Sequence, residues 1–249
     1  TMSAKKTCLA ALLLLTLSPL AQAQAQEQPW DWMVAPYGWI AGISSDVAVP
    51  APPPGGNASD LQFNDIVDLL DGAFQIHAEG QGDQFGVLAD FTYLGLADEK
   101  EFDRFSSQSD LDTRLFELAA VWSPGEDRFK GLDVFAGLRY IDIDATLRLD
   151  PVNPAFANTS LDGGNSYSDF MLGARYTFDV TERLGVTLRG DGSAGETEGS
   201  WNASVMGNYK MKHGAFLFGY RYFNVELGND TNNIDLMVAG PVLGYAWRF

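Results

Sequence analysis

The stretch Leu243–Phe249, which reads LGYAWRF, decides the fold because large apolar residues occupy every second position. Side chains of a β-strand point alternately to its two faces, so this period of two predicts a strand with one apolar face. The residues between are small or polar. In a soluble protein, aromatic residues at these final positions would lie in water, so we expect this face to contact lipid.

The N-terminal segment has the layout of a secretory signal peptide. Two lysines precede an apolar run from Cys8 to Leu17, and small residues with an A-x-A pattern follow up to Ala25. The run is shorter than the roughly 20 residues that a helix needs to span a bilayer. We therefore predict a signal peptide at residues 1–25 and a single outer-membrane β-barrel domain at residues 26–249.

Composition excludes several classes of protein. The formal net charge is −17, and loss of the two lysines of the predicted signal peptide would make it more negative by two. Such an acidic chain is not expected to bind nucleic acid. The single cysteine, Cys8, lies in the predicted signal peptide, so no disulfide is expected in the mature domain. No later apolar run reaches the length of a membrane-spanning helix, so a membrane location would require a closed β-barrel.

Ten segments of the chain alternate between apolar and polar residues at the length of membrane-spanning strands. They predict a closed antiparallel transmembrane β-barrel of about ten strands, with eight as the alternative. Short turns alternate with longer polar connections, as expected for a barrel with a periplasmic side and an outer side. The predicted strands are 31–46, 73–81, 85–98, 111–123, 132–149, 166–180, 184–195, 200–211, 214–227 and 234–249, with long loops at 47–72, 99–110 and 150–165.

The first long loop contains a candidate helix. Prolines and glycines between 50 and 56 exclude regular structure there. Apolar residues at near-helical spacing follow from Leu61 to Leu70, with Asp60 as a candidate N-cap. We predict a short amphipathic helix that covers the barrel mouth or lies on the outer leaflet.

The pattern G-x-R-Y occurs three times, at 137–140, 173–176 and 219–222. Its Gly and Arg are two residues apart and share a face, whereas Tyr lies on the opposite face. We interpret the arginines as cations of a barrel interior, the tyrosines as lipid-facing, and the glycines as space for a neighbouring Arg. Chance recurrence in glycine-rich strands is the alternative.

These features resemble the small outer-membrane β-barrel proteins of Gram-negative bacteria, which have eight to ten strands. The resemblance rests on the signal-peptide layout, the alternating strands, the P-Y-x-W start at 36–39 and the terminal pattern of Tyr245, Trp247 and Phe249. It implies an outer-membrane location. It also implies that the three terminal aromatic residues form the signal read by the barrel-assembly machinery.

The predicted interior carries acids on the early strands and bases on the later ones, facing each other across the lumen. One interpretation is a salt-bridged filling, and the other is a charged lumen that selects small solutes. Ten strands are close to the number at which side chains fill a barrel, which favours the filling. The predicted network comprises His77, Glu79, Asp90, Glu117, Arg139, Arg175, Arg189, Asp191, Lys210, Arg221 and Arg248.

The sequence gives little support to catalysis. His77 with Glu79 has the residue types of a base and its orienter, but no serine motif accompanies them. The other histidine, His213, lies in a predicted turn. Two histidines and no mature cysteine argue against a transition-metal site. We therefore predict no catalytic residues, no metal and no cofactor.

The sequence thus predicts a non-enzymatic structural or surface barrel with at most a narrow pore for small solutes. The expected partners are outer-membrane lipid, lipopolysaccharide and the barrel-assembly machinery, and the expected state is a monomer. Two alternatives stay open at this point. One is an outer-membrane enzyme that acts on lipid A or phospholipid, and the other is a soluble periplasmic barrel that binds an apolar ligand.

Overall fold

A computed structural model describes residues 30–48, 59–61, 70–101, 105–125, 127–151, 153, 158–229 and 232–249. Nearly all of them belong to β-strands. In chain order, the strands are β1 Asp31–Trp39, β2 Gly42–Ala48, β3 Ser59–Leu61, β4 Leu70–Gln81, β5 Phe85–Glu101, β6 Phe105–Trp122, β7 Gly131–Pro151, β8 Thr159–Asp179, β9 Leu184–Gly195, β10 Gly199–Met211, β11 Gly214–Asn229 and β12 Asn232–Arg248.

The strands form one antiparallel sheet that closes on itself. From β4 to β12 each strand pairs with the next along the chain, β1 pairs with β4, and β12 returns to β1. Backbone bonds between Trp32 and Phe249, at 2.9 and 3.0 Å, complete the closure. Because β2 continues along β12 where β1 ends, the wall contains ten strands. The predicted ten-stranded barrel is confirmed, and the alternative of eight strands is wrong.

The start of the barrel differs from the prediction in two details. The predicted strand 31–46 is interrupted at residues 40 and 41, which separate β1 from β2. Asp60, the predicted N-cap, lies in β3 opposite Ser44, and Leu70 begins β4. Both ends of the predicted helix are therefore strand, and its centre at 62–69 lies outside the described residues.

The strands of the wall differ in length, and β5 to β8 are longer than β9 and β10. Two of the predicted long loops, 99–110 and 150–165, are mostly strand, because β6 and β8 begin at residues 105 and 159, well before their predicted starts, and β5 and β7 continue to residues 101 and 151. Apart from Phe105, Pro151 and Leu161 these extensions are polar or glycine, so alternation of hydrophobicity did not reveal them. By contrast, β9 and β10 are short and are joined by residues 196–198.

The outer face of the barrel carries an apolar band with aromatic residues at both edges. On β10 the band extends from Trp201 to Met211, both exposed, a distance of about 34 Å along the strand. A tilt of about 45° reduces this to ~24 Å, which matches the apolar height of a membrane barrel. We call the end of the barrel with the short connections 82–84, 180–183 and 212–213 the turn side, and the opposite end the loop side. At the loop-side edge, Trp201 stacks on Tyr222 with ring centroids 4.5 Å apart. Exposed aromatic residues at the turn-side edge are Trp30, Trp32, Phe85, Trp122, Tyr176, Tyr209, Phe216, Trp247 and Phe249.

Above this band the outer face of β5 to β7 is polar. Arg114 Nη1 donates to Asp142 at 2.6 Å and to Asp144 at 3.0 Å, and the Tyr93 hydroxyl donates to Asp112 at 2.7 Å. These five residues form the outer polar belt. They mark where the apolar outer surface ends on β5 to β7.

The interior is filled at two levels by apolar side chains with ion pairs between and beside them. A loop-side cluster comprises Leu115, Ile141, Phe223, Val225 and Leu227. A turn-side cluster comprises Leu88, Ala119, Val121, Phe135 and Met171 on β5 to β8. The charged residues of the lumen lie between these layers and along the remaining wall.

Candidate functional site in the barrel lumen

Arg139 is the centre of the lumen, and its side chain is 0 % exposed. It extends from β7 and bonds to three other strands. Nε and Nη2 donate to Glu117 of β6 at 3.0 and 2.6 Å, Nη1 donates to Ser200 of β10 at 2.7 Å, and Nη2 also donates to Asp191 of β9. The guanidinium group lies 5.2 Å from the centre of the Phe223 ring, at the base of the loop-side cluster.

Two further arginines hold the same carboxylates. Arg189 Nε donates to Asp191 at 2.7 Å and its Nη2 donates to Glu117 at 2.8 Å. Arg221 of β11 places Nη2 3.5 Å from Glu117 of β6, and these strands lie opposite each other in the ten-stranded wall. Its Nε donates to Asn202 at 2.9 Å. The network thus spans the full width of the lumen.

A second part of the network lies nearer the turns. Arg175 Nε donates to Asp133 at 2.8 Å, and Nη1 donates to Glu79 at 2.7 Å. Gln81 Nε2 donates to the other oxygen of Glu79 at 2.8 Å, and Ser123 donates to Asp133 at 2.5 Å. Both carboxylates therefore have partners on more than one strand.

His77 joins the two parts of the network. Its Nδ1 lies 3.1 Å from Asp90, and its Nε2 lies 3.3 Å from Glu79. Asp90 also accepts from the Tyr37 hydroxyl at 2.7 Å and lies 3.7 Å from Arg221. Both ring nitrogens of His77 are therefore taken up by carboxylates.

Nine of the eleven sequence-predicted network residues belong to this connected set. The other two lie apart from it. Lys210 donates to Asp179 at 2.6 Å at the turn-side rim, and Arg248 lies over the Phe129 ring at 4.9 Å. Acids and bases interleave rather than forming two facing walls, because the register sets Glu117 directly beside Arg139.

The rim also contains a lysine that the sequence interpretation did not single out. Lys130, in the turn between β6 and β7, lies 3.4 Å from Asp179. The hydrogen bond to this carboxylate raises the pKa of Lys130. Asp179 therefore holds two lysines, Lys130 and Lys210, at the turn-side entrance.

Several buried polar residues were missed by the sequence interpretation. Asp133 shares a face of β7 with Arg139, and Gln81 shares a face of β4 with Glu79. The alternation of side chains between the two faces of a strand would therefore have identified both residues. Asp169 was also missed. It is buried and accepts from Ser193 at 2.8 Å and from the Thr197 backbone at 3.1 Å, which ties the β9–β10 connection to β8.

The glycine of the second G-x-R-Y repeat acts differently from its predicted role. A Cβ atom at Gly173 would lie 2.5 Å from the Phe135 ring and 2.4 Å from Asp191 Cβ. The space therefore accommodates Phe135, and Arg189 lies 4.9 Å over that ring. Gly173 therefore makes room for Phe135, the ring over which Arg189 lies, rather than for an arginine side chain.

A cavity of about 170 Å³ remains on the turn side of the network. Its charged lining consists of His77, Asp90, Arg175, Arg189 and Arg221. The other lining residues are neutral, namely Met33, Ala35, Tyr37, Thr187, Asn202, Ser204, Met206, Asn208, Leu217 and Val242.

The three residues of the predicted assembly signal lie on the outer face of β12 or just after it. Tyr245 and Trp247 form an edge contact with ring centroids 5.0 Å apart, and Phe249 follows the strand. Trp247 and Phe249 are exposed. They belong to the turn-side aromatic edge of the apolar band.

Among the residues that the structure describes, histidine and carboxylate side chains nowhere form a group of three or more suited to a metal ion. No helix of sufficient length and hydropathy to cross a membrane occurs in the same residues.

No protein-family model matches the chain, and no curated relative matches its sequence. Solved structures with a similar architecture include the outer-membrane protease OmpT from Escherichia coli, at 10 % identity and a TM-score of 0.49, covering 88 % of this chain and 97 % of that one. The translocator domain of the autotransporter NalP from Neisseria meningitidis is 11 % identical, with a TM-score of 0.47 and coverages of 91 % and 90 %. Ail, the attachment invasion locus protein of Yersinia pestis, is 9 % identical, with a TM-score of 0.39 and coverages of 89 % and 100 %. At these values, none of the similarities bears on what this chain does.

Proposed function

We propose that this protein is a non-enzymatic outer-membrane β-barrel with a structural or surface role and no continuous water path through its lumen. The observation that carries the proposal is the ion network around Arg139, a fully buried guanidinium with acceptors on β6, β9 and β10. Arg221 joins this network from the wall opposite Glu117, so the ion pairs span the lumen and leave no open channel at their level.

The membrane location is supported by the inverted distribution of side chains. Charged groups fill the interior, whereas the outer face carries apolar residues between two aromatic edges. In water, this arrangement would expose a large apolar surface, whereas in a bilayer the same surface contacts lipid. In isolated membranes, the protein should resist extraction with alkaline carbonate, and its release should require detergent. Release without detergent would instead support the soluble periplasmic alternative.

Closure of the lumen is supported by its loop-side cluster as well as by the ion pairs. Three residues of the loop-side cluster point into the lumen on the same strands as the ion pairs. Each lies two residues nearer the loops than a charged residue of its strand: Leu115 than Glu117, Ile141 than Arg139, and Phe223 than Arg221. Apolar side chains in a narrow lumen exclude water and ions. Eight to ten strands also leave little space that side chains do not fill.

A catalytic role is disfavoured by the contacts of His77. A general base needs a ring nitrogen free for the substrate, but both nitrogens of His77 lie beside carboxylates. Expression of the protein should therefore leave the mass of lipid A unchanged. A mass change that is lost in His77→Ala would overturn this proposal in favour of a lipid-modifying enzyme.

Planar-bilayer recording tests the closed lumen directly. We expect the wild-type protein to give no stable conductance steps in molar potassium chloride. The double variant Glu117→Ala/Arg139→Ala removes the central crossing and should conduct if it folds, which heat-dependent mobility in SDS gels reports. Stable steps from the wild-type protein would contradict the proposal and indicate a narrow pore.

Lipid and lipopolysaccharide are the partners that we propose for the outer face, with Tyr245, Trp247 and Phe249 presented to the barrel-assembly machinery. A monomer fits a wall that is closed within one chain. Replacement of the three aromatic residues by alanine should lower the amount of assembled barrel in membranes. The matched replacement of Leu161, an exposed residue of the tall β8 extension, should not.

A further inference from the structure

We propose that the turn-side cavity binds a small organic anion with a carboxylate head and an apolar body. This goes beyond the structural role proposed above. The cavity measures about 170 Å³. An apolar protein cavity of about 150 Å³ holds one benzene molecule, so the space suits a single ring or a short chain with a small head group.

The charge that the network presents to this cavity is mainly basic. Arg175, Arg189 and His77 line the cavity and keep 12, 14 and 16 % of their side-chain surfaces exposed. Glu79 and Glu117, the carboxylates that pair with them, are 0 % exposed. The ion pairs thus turn their cationic partners toward the space and their anionic partners away from it.

The acidic residue among the lining side chains, Asp90, is already engaged. Its carboxylate accepts from the Tyr37 hydroxyl at 2.7 Å and lies 3.1 Å from His77 Nδ1. Its side chain is 6 % exposed. An incoming anion therefore meets more accessible cationic surface than anionic surface.

Arg189 supplies a donor for the head group. It donates through Nε to Asp191 and through Nη2 to Glu117, and within the described residues no acceptor takes its Nη1. A carboxylate at this position would form a charge-assisted hydrogen bond, about twice as strong as a neutral one. Ser204, which is opposite Arg189 in the β9–β10 register, lines the same region.

The rest of the lining suits an apolar body rather than a second charge. Met33, Ala35, Met206, Leu217 and Val242 line the cavity with apolar atoms. The methionines adapt to irregular shapes because their side chains are unbranched and polarizable. An inorganic anion would leave this surface uncovered, whereas an aromatic or short aliphatic carboxylate would cover it.

Titration calorimetry of the detergent-solubilised protein tests the proposal with benzoate as the probe, corrected for its heat of mixing with detergent alone. We expect benzoate to bind at least tenfold more tightly than benzamide, which lacks the charge, and than inorganic phosphate, which lacks the apolar body. Equal binding of benzoate and benzamide would overturn the anion site. Equal or tighter binding of phosphate would overturn the apolar part of the proposal.

Two variants locate the binding. Ser204→Leu fills the cavity and should abolish benzoate binding, whereas Val205→Leu, the matched change at the exposed neighbouring position, should preserve it. If Ser204→Leu fails to assemble, Arg189→Lys keeps the charge but loses the forked donors and should weaken binding about tenfold. Unchanged benzoate binding in an assembled cavity variant would contradict the proposal. Conductance of the same preparation reports separately on the closed lumen, so either conclusion can fail alone.

Discussion

Arg139 and Arg114 each bridge two carboxylates, one pair inside the lumen and the other in the outer polar belt. The Arg114 side chain is 40 % exposed, and its partners reach water, whereas Arg139 and its partners do not. Exposed ion pairs contribute little to stability because water competes with them, but removal of one partner from a buried pair leaves an uncompensated charge. The same chemical arrangement therefore has a structural role in the lumen and a surface role on the belt.

The largest expected effect comes from removing the lumen arginine. Arg139→Leu should lower the free energy of unfolding by about 4 kcal/mol, because Glu117 and Asp191 lose a shared partner where their side chains are fully buried. Urea unfolding of the protein in lipid vesicles measures this value. A loss below about 1 kcal/mol would mean that the lumen tolerates unpaired charge as the outer surface does.

A smaller effect is expected from the apolar layer above the network. Leu115→Ala should cost about 3 kcal/mol, because it opens a cavity within the loop-side cluster. Leu147→Ala is the control, since Leu147 is exposed on the loop-side part of β7. Equal midpoints of urea unfolding for the two variants would show that the loop-side lumen is not tightly packed.

Asp169 tests whether a buried carboxylate that accepts from hydroxyl and backbone donors also stabilises the barrel. Asp169→Asn should cost about 2 kcal/mol, because the amide nitrogen would face the Thr197 and Ser193 donors. Asp162→Asn, on the exposed part of the same strand, should leave the unfolding midpoint unchanged. Proteolysis at the β9–β10 connection should also increase in Asp169→Asn but not in its control.

The smallest effect is expected on the belt itself. Arg114→Leu should leave the urea midpoint unchanged, because Asp142 and Asp144 regain water when their partner is removed. The measurement is best made at low and high salt, since screening should further reduce any difference. A destabilisation as large as that of Arg139→Leu would remove the distinction between the two regions.

The strand order and the inward or outward direction of most side chains were predictable from the sequence. Period two places Arg139 inward and Tyr140 outward from local residues alone. The partners of Arg139 were not all predictable, because Asp191 and Ser200 lie two and three strands away and approach it only through the curvature and stagger of the wall. Patterns within single strands say nothing about that stagger.

The cavity and the strand extensions were unpredictable for a different reason. Phe135 fills the lumen on one side and leaves space on the other, which depends on Gly173 across the neighbouring strand. The first residues of β6 and β8 are mostly polar, so hydrophobic periodicity ends before the ladder does. Both features follow from pairing between strands rather than from the order of residues along one strand.

The connectivity of the ion network also bears on how the barrel is assembled. Glu79 of β4 bonds to Arg175 of β8, and Glu117 of β6 meets Arg221 of β11, so partners lie far apart in the chain. An open sheet that lacks β11 would leave Asp90 and Glu117 without Arg221, although the other arginines of the network would already be present. The last contacts of the network therefore form only when the barrel closes, so closure and completion of the network are one event.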